Sequence, residues 1–320
     1  MKRSKKIWLA VAVSFVIVGA VLFAVGLAAL DFDFTRLSTL NFETNTYEIN
    51  GDFENIHIDV TVADVDFVLS EDGGRKVVCQ ETDKLKHTVE VQNGTLSIET
   101  SDLRKWYDHI GVFFGNMKIT VYLPASEYKS LYAETNTGDI EIPKGLTFED
   151  VKTESNTGDM YCYASIHGRF EVSTETGDVN AEAISVGELM LEVDTGEIGV
   201  RDVNATGSIK IETDTGDVSL TNVICQSLEV ESDTGDIVLE NVIGEQTFTI
   251  KSSTGDVIFD HSDAESIFVE TNTGDVEGTL LSEKVFFTDT STGDVDVPKT
   301  ITGGRCEIVT STGDIEIEIK

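Results

Sequence analysis

The chain has 320 residues, with 23 basic and 58 acidic side chains and a formal charge of −35. So large an acid excess excludes ordinary nucleic-acid binding, which needs a basic footprint to neutralise phosphates. It also disfavours anionic lipids and wall polymers as partners, while metal cations and cationic peptides would be concentrated near the surface.

Lys2, Arg3, Lys5 and Lys6 precede an uncharged apolar run from Ile7 to Leu30. A helix crosses a bilayer with about 20 apolar residues, and basic flanks stay inside. The expectation is a cytoplasmic stub over 1–6, a transmembrane helix over 7–30, and a single-pass cell-membrane protein with its N-terminus inside and an extracytoplasmic C-terminal part. The competing reading is a cleaved signal peptide ending near Gly26-Leu27-Ala28, but its apolar core is usually about 7 to 15 residues.

Residues 31–123 read as a β capping region. Setting Ala63 at a turn points Ile56, Ile58, Val60, Val65 and Phe67 inward, and setting Gly94 there does the same for Val89, Val91, Leu96 and Ile98. These are capping coils or hairpins of the kind terminal repeats require. The aromatic segment Trp106–Phe114 is expected to pack over an open end, with a partner-binding or membrane-facing patch as the alternative.

From 124 to 320 a Thr-Gly-Asp triplet recurs, ending at Asp139, Asp159, Asp178, Asp217, Asp236, Asp256, Asp275, Asp294 and Asp314, with a tenth copy at Thr195-Gly196-Glu197. The glycines Gly138, Gly158, Gly177, Gly196, Gly216, Gly235, Gly255, Gly274, Gly293 and Gly313 follow one another every 19 or 20 residues. Side chains alternate along a strand, so each copy sorts its residues by face. Seven before the glycine stand Leu131, Val151, Phe170, Leu189, Ile209, Leu228, Phe248, Ile267, Phe286 and Cys306, and two after it stand Ile140, Met160, Val179, Ile198, Val218, Ile237, Val257, Val276, Val295 and Ile315. Another apolar position follows at seven or eight after, including Leu146, Ile166, Val223, Leu281 and Ile301. One copy cannot bury these columns alone, so copies must stack. The fold class expected is all-β: a single parallel β-solenoid of about ten 19–20-residue coils, each laid on the previous one. Three before the glycine a small hydroxyl recurs, as in Thr135, Thr213, Ser232 and Thr310, expected to point inward and satisfy turn backbone.

Two outward columns carry charge. One is the motif aspartates; the other, four before the glycine, holds Glu134, Glu154, Glu192, Glu212, Glu231, Glu270 and Asp289. Carboxylates one coil apart repel by roughly 1 kcal/mol per pair at water's dielectric. Either each aspartate accepts backbone N–H bonds at its own turn, or cations such as Ca²⁺, or a basic peptide, bind along the ladder. The calcium-roll nonapeptide is absent and the period is about twice as long.

Cys79, Cys162, Cys225 and Cys306 are expected to be free thiols, since Cys162 and Cys306 lie eight coils apart. His57, His87, His109, His167 and His261 show no ligand spacing. No phosphate loop or nucleophile elbow is present, and coils of nearly equal length leave no cleft for a glycosidase carboxylate pair.

The N-terminal apolar run, the loose strands after it, the segment Ile119 to Pro124 and the Thr-Gly-Asp series resemble the LiaG-like putative-adhesin family of bacterial β-strand-repeat proteins. The resemblance implies an envelope-located domain without catalytic residues. The expected function is a non-enzymatic adhesin-like binding or scaffolding protein with a protein, peptide or envelope ligand. The alternatives are capture of cations or cationic antimicrobial peptides on the acidic ladders, and a polysaccharide-acting enzyme.

Overall fold

The computed structural model describes residues 3–29, 42–82, 84–103 and 117–320; the Trp106–Phe114 segment and His109 lie outside them. Among the described residues one helix, Arg3–Ala29, is followed by 28 strands joined in one continuous sheet. The anchor expected over 7–30 is corrected: among the described residues no helix is long and apolar enough to cross a membrane. The single-pass cell-membrane localisation is therefore withdrawn.

The rest is a parallel β-solenoid. Each coil runs up one strand, such as Glu127–Thr137 or Thr147–Thr157, bends at Thr-Gly-Asp, and continues into a second strand such as Ile140–Ile142 or Met160–Cys162. Equivalent strands pair in register, so Val151 lies opposite both Leu131 and Phe170, and Met160 opposite both Ile140 and Val179. Residues of like position therefore stack into buried columns: Leu131, Phe170, Leu189, Ile209, Phe248 and Ile267 are all buried, as are Ile140, Val179, Val218 and Val276. A second bend follows six residues after the glycine, where Ala183, Asp202, Asn222, Asn241 and His261 take φ of 51–56°. It turns Ile184, Val203, Val223 and Val242 into the core. Asn and Asp tolerate this left-handed conformation better than other non-glycine residues, and Asn222 also donates to Asp202 Oδ1 at 2.8 Å.

Both ends depart from simple stacking. At the start, Asn55–Val62 and Asp64–Leu69 form a coil with Ala63 at its turn, paired in parallel under the Gly138 coil. Beneath it lie Thr95–Asp102 and Lys118–Leu123. Leu85–Gln92 folds back on Thr95–Asp102 as an antiparallel hairpin, turned at Asn93-Gly94 with φ of 53° and 78°. Lys76–Thr82 and Phe42–Glu48 complete an antiparallel edge.

At the far end the order of coils changes. Ser266–Thr273 of the Gly274 coil pairs with Gly304–Thr312 of the Gly313 coil, and Gly304–Thr312 then pairs with Lys284–Thr292 of the Gly293 coil. The Gly313 coil is thus inserted between its two predecessors, correcting the expectation that each coil lies on the previous one. The cause is local. A Cβ on Gly303 would stand 1.8 Å from Glu283 O, and one on Gly304 would stand 1.9 Å from Glu265 O. Adjacent glycines let the chain thread between the carbonyls of two coils. Lys284 and Asp263, buried and ion-paired at 2.5 Å, pin the displaced coil. Val295 and Ile301, expected inside, are exposed because the Gly293 coil has become the open end; Leu281, also expected inside, is exposed while the adjacent Leu280 is buried.

Candidate functional site: the acidic faces and the N-terminal cap

The Thr-Gly-Asp turn is built by coil-to-coil contact. The motif glycines have φ between 141° and 155°, and a Cβ on each would lie 1.8–2.1 Å from a carbonyl oxygen of the neighbouring coil. Only glycine meets both conditions. Apart from Gly293 on the open end, each glycine N–H also bonds across the stack, as Gly158 N–H does to Thr176 O at 2.9 Å.

The motif aspartates do not bond at their own turns. Asp139 Oδ1 accepts from Asp159 N–H at 2.8 Å, Asp159 Oδ1 from Asp178 N–H at 2.8 Å, and Asp178 Oδ1 from Glu197 N–H at 2.8 Å. The series resumes from Asp217 through Asp236, Asp256 and Asp275 to Asp314 and Asp294, at 2.7–2.9 Å. It begins one coil earlier than the triplets, where Asp64 Oδ1 accepts from Asp139 N–H at 3.2 Å. Among the described residues it breaks once within the array, at Glu197, whose extra methylene carries its carboxylate past Asp217 N–H. The expectation that each aspartate accepts at its own turn is thus corrected: the N–H it accepts from belongs to the turn of the neighbouring coil.

The glutamate column stands on the outer face of the longer strands, in register, with Glu192 opposite Glu212 and Glu212 opposite Glu231. Lysines partly neutralise it. Lys152 bridges Glu154 at 3.0 Å and Glu171 at 2.6 Å, Lys210 pairs with Glu212 at 2.6 Å, and Lys251 pairs with Glu231. Lys152 and a bond from Tyr132 hold the Glu154 carboxyl below its ordinary range against a smaller opposing effect of burial. Between this column and the residues two before each glycine runs an open groove of about 390 Å³. Glu192, Asp194, Glu212, Asp214, Glu231, Asp233 and Glu270 line it, with Lys251 its one cation. The hydroxyl column below is inward, as expected. Thr135, Thr290 and Thr310 donate to turn carbonyls at 3.0–3.4 Å, whereas Thr174, Thr213, Ser232 and Ser252 have no hydrogen-bond partner among the described residues.

The four cysteines are buried free thiols, each pushed up to about 12 by burial. Three sit in the core of coils. Cys79 instead lies beside two ionisable groups that scattered sequence positions did not connect. Cys79 and Glu81 are two apart on one strand and so share a face, and the corner leading into Leu85–Gln92 brings His87 to Glu81. One ligand atom from each of the three lies within 4.8 Å of the others. Glu81 is wholly buried; Asn45 Nδ2 and Tyr47 OH donate to Oε1 at 2.5 and 3.1 Å, and His87 N–H to Oε2 at 2.7 Å. Burial opposes ionisation of Glu81, but these bonds together hold its carboxyl below the ordinary value. Burial also pushes the His87 imidazole down.

Residues 53–213 and 205–320 match the model of the family described as Toastrack DUF4097. None of the curated proteins matches the chain. Among solved structures, a "putative lipid binding protein" from Parabacteroides distasonis ATCC 8503 is similar over 74% of this chain and 96% of its own, at 19% identity and a TM-score of 0.54. A "putative adhesin" from Parabacteroides merdae ATCC 43184 aligns over 88% of this chain and 98% of its own, at 13% identity and a TM-score of 0.48. Another from Bacteroides fragilis NCTC 9343 aligns over 88% and 99%, at 16% identity and a TM-score of 0.40. The first similarity is one of fold.

Proposed function

From the premise that this chain belongs to the Toastrack DUF4097 family, we propose that the solenoid is a non-enzymatic, adhesin-like binding scaffold. The carrying observation is the division of labour among its carboxylates. The motif aspartates are engaged in coil-to-coil bonds, while the glutamate column lies on a long open face of evenly spaced coils. Such a face offers many equivalent contacts and no enclosed pocket, which suits weak multivalent binding better than turnover. The narrower likeness to LiaG-like adhesins belongs to this reading. Solid-phase binding of the full chain to cell-surface fractions, host matrix and immobilised copies of itself tests it; binding to none of these removes it. A polysaccharide-acting enzyme would instead release reducing ends from glycans.

A second reading is favoured by the seven carboxylates around the groove: cations or a basic peptide bind there. Titrating Ca²⁺ and an oligolysine peptide against the unfolding midpoint discriminates, because a ligand of the folded state alone must raise it. A peptide effect lost at high salt supports electrostatic capture; no shift with either removes this reading and leaves the first standing.

A further inference from the structure

The cluster in the N-terminal cap has chemistry that packing does not explain. Glu81 is a buried carboxylate, and among the described residues no lysine or arginine pairs with it; its one basic neighbour is His87, with Nδ1 3.1 Å from Oε2. A carboxylate accepts, so Nδ1 carries the proton and donates, which leaves Nε2 as a bare lone pair. Nε2 is buried and has no hydrogen-bond partner among the described residues, in a residue only 5% exposed. The third member is the thiol of Cys79, wholly buried and on the same strand face as Glu81. A purely structural cluster accounts for the bonds that Asn45, Tyr47 and the His87 backbone make to Glu81. It does not account for a thiol held with that carboxylate and imidazole so that one ligand atom of each residue lies within 4.8 Å of the others.

We propose that Cys79, Glu81 and His87 form a binding site for a thiophilic divalent transition metal of the zinc class. Thiolate and imidazole favour zinc and its neighbours, whereas Ca²⁺ and Mg²⁺ take oxygen donors. On binding, the Cys79 S–H and His87 Nδ1–H bonds break, the electron pairs of sulfur and Nδ1 go to the metal, the imidazole proton is taken up at Nε2 and the thiol proton leaves to buffer; nothing is oxidised or reduced. The site lies on the antiparallel cap and is independent of the acidic groove.

The test is titration of chelator-treated full chain with Co²⁺ and then Zn²⁺. The expected result is one equivalent of Co²⁺ giving a sulfur-to-metal charge-transfer band, displaced by Zn²⁺ but not by Ca²⁺. The band is expected to persist in Cys162→Ser, to vanish in Cys79→Ser, and to weaken with at least about tenfold lower affinity in His87→Gln. Absence of saturable binding, or an unchanged band in Cys79→Ser, overturns the proposal. X-ray absorption on zinc-loaded wild-type protein needs no variant to fold: a sulfur in the metal's shell supports the site, and a shell of oxygen alone overturns it.

Discussion

Aspartate at the motif position is a matter of reach. Its carboxylate spans from one turn to the N–H of the next turn at 2.7–2.9 Å through the array, converting an exposed anion into a charge-assisted bond between coils. Glu197 is the natural control. Glu197→Asp should bring a carboxylate to Asp217 N–H and stabilise the protein by about 1 kcal/mol, whereas Asp236→Ala should destabilise it by about 1.5 kcal/mol; urea midpoints at constant slope measure both. Gly235→Ala places a methyl 2.1 Å from Gly216 O at a φ of 141°, and should cost about 3 kcal/mol or more. A third expectation concerns protons. Because Lys152 and Tyr132 depress the Glu154 carboxyl, its contribution is full above the ordinary glutamate range and is lost as pH falls through the lower folded value. Lys152→Gln should move the Glu154 titration, followed by carboxyl NMR shifts, back upward.

At the level of elements, the columns were legible because two periods agree. Alternation along each strand and recurrence every 19 or 20 residues both place Leu189, Ile209 and Leu228 inside, and all three are buried. The second bend was less visible: it is marked only by Asn222, Asn241 and Asp202 among dissimilar neighbours, and by a left-handed φ that no hydrophobic pattern reports. The exchanged coils were not legible. Phe286 and Cys306 satisfy the same column in either order, and only the carbonyls on both sides of Gly303-Gly304 decide between them. The cap cluster escaped for a similar reason, since the corner between two strands, closed by the bonds of Leu85 N–H to Thr82 Oγ1 and of His87 N–H to Glu81, brings His87 to Glu81. The threading argument is testable by Gly304→Val. The branched side chain would meet Glu265 O, so amide exchange should accelerate across 284–319 while coils before Gly255 keep their protection.

For the whole molecule, ten motif coils at about 4.8 Å make a rod on the order of 50 Å long, in which each level touches only its neighbours. Removing one level should then shorten the rod without unfolding it. Deleting 217–235 joins Gly216 to Asp236, keeps the triplet, and should reduce the long dimension in small-angle scattering by about 5 Å; a collapsed or expanded chain would show that the levels are not interchangeable. The exchanged tip also bears on biosynthesis. A polypeptide leaving the ribosome N-terminus first would add circuits in order of emergence up to Gly274, but the next circuit translated, that of Gly293, is not the next one stacked. It must wait, or be lifted aside, until the Gly313 segment has been translated and slotted beneath it, so maturation of the distal end is decoupled from vectorial synthesis.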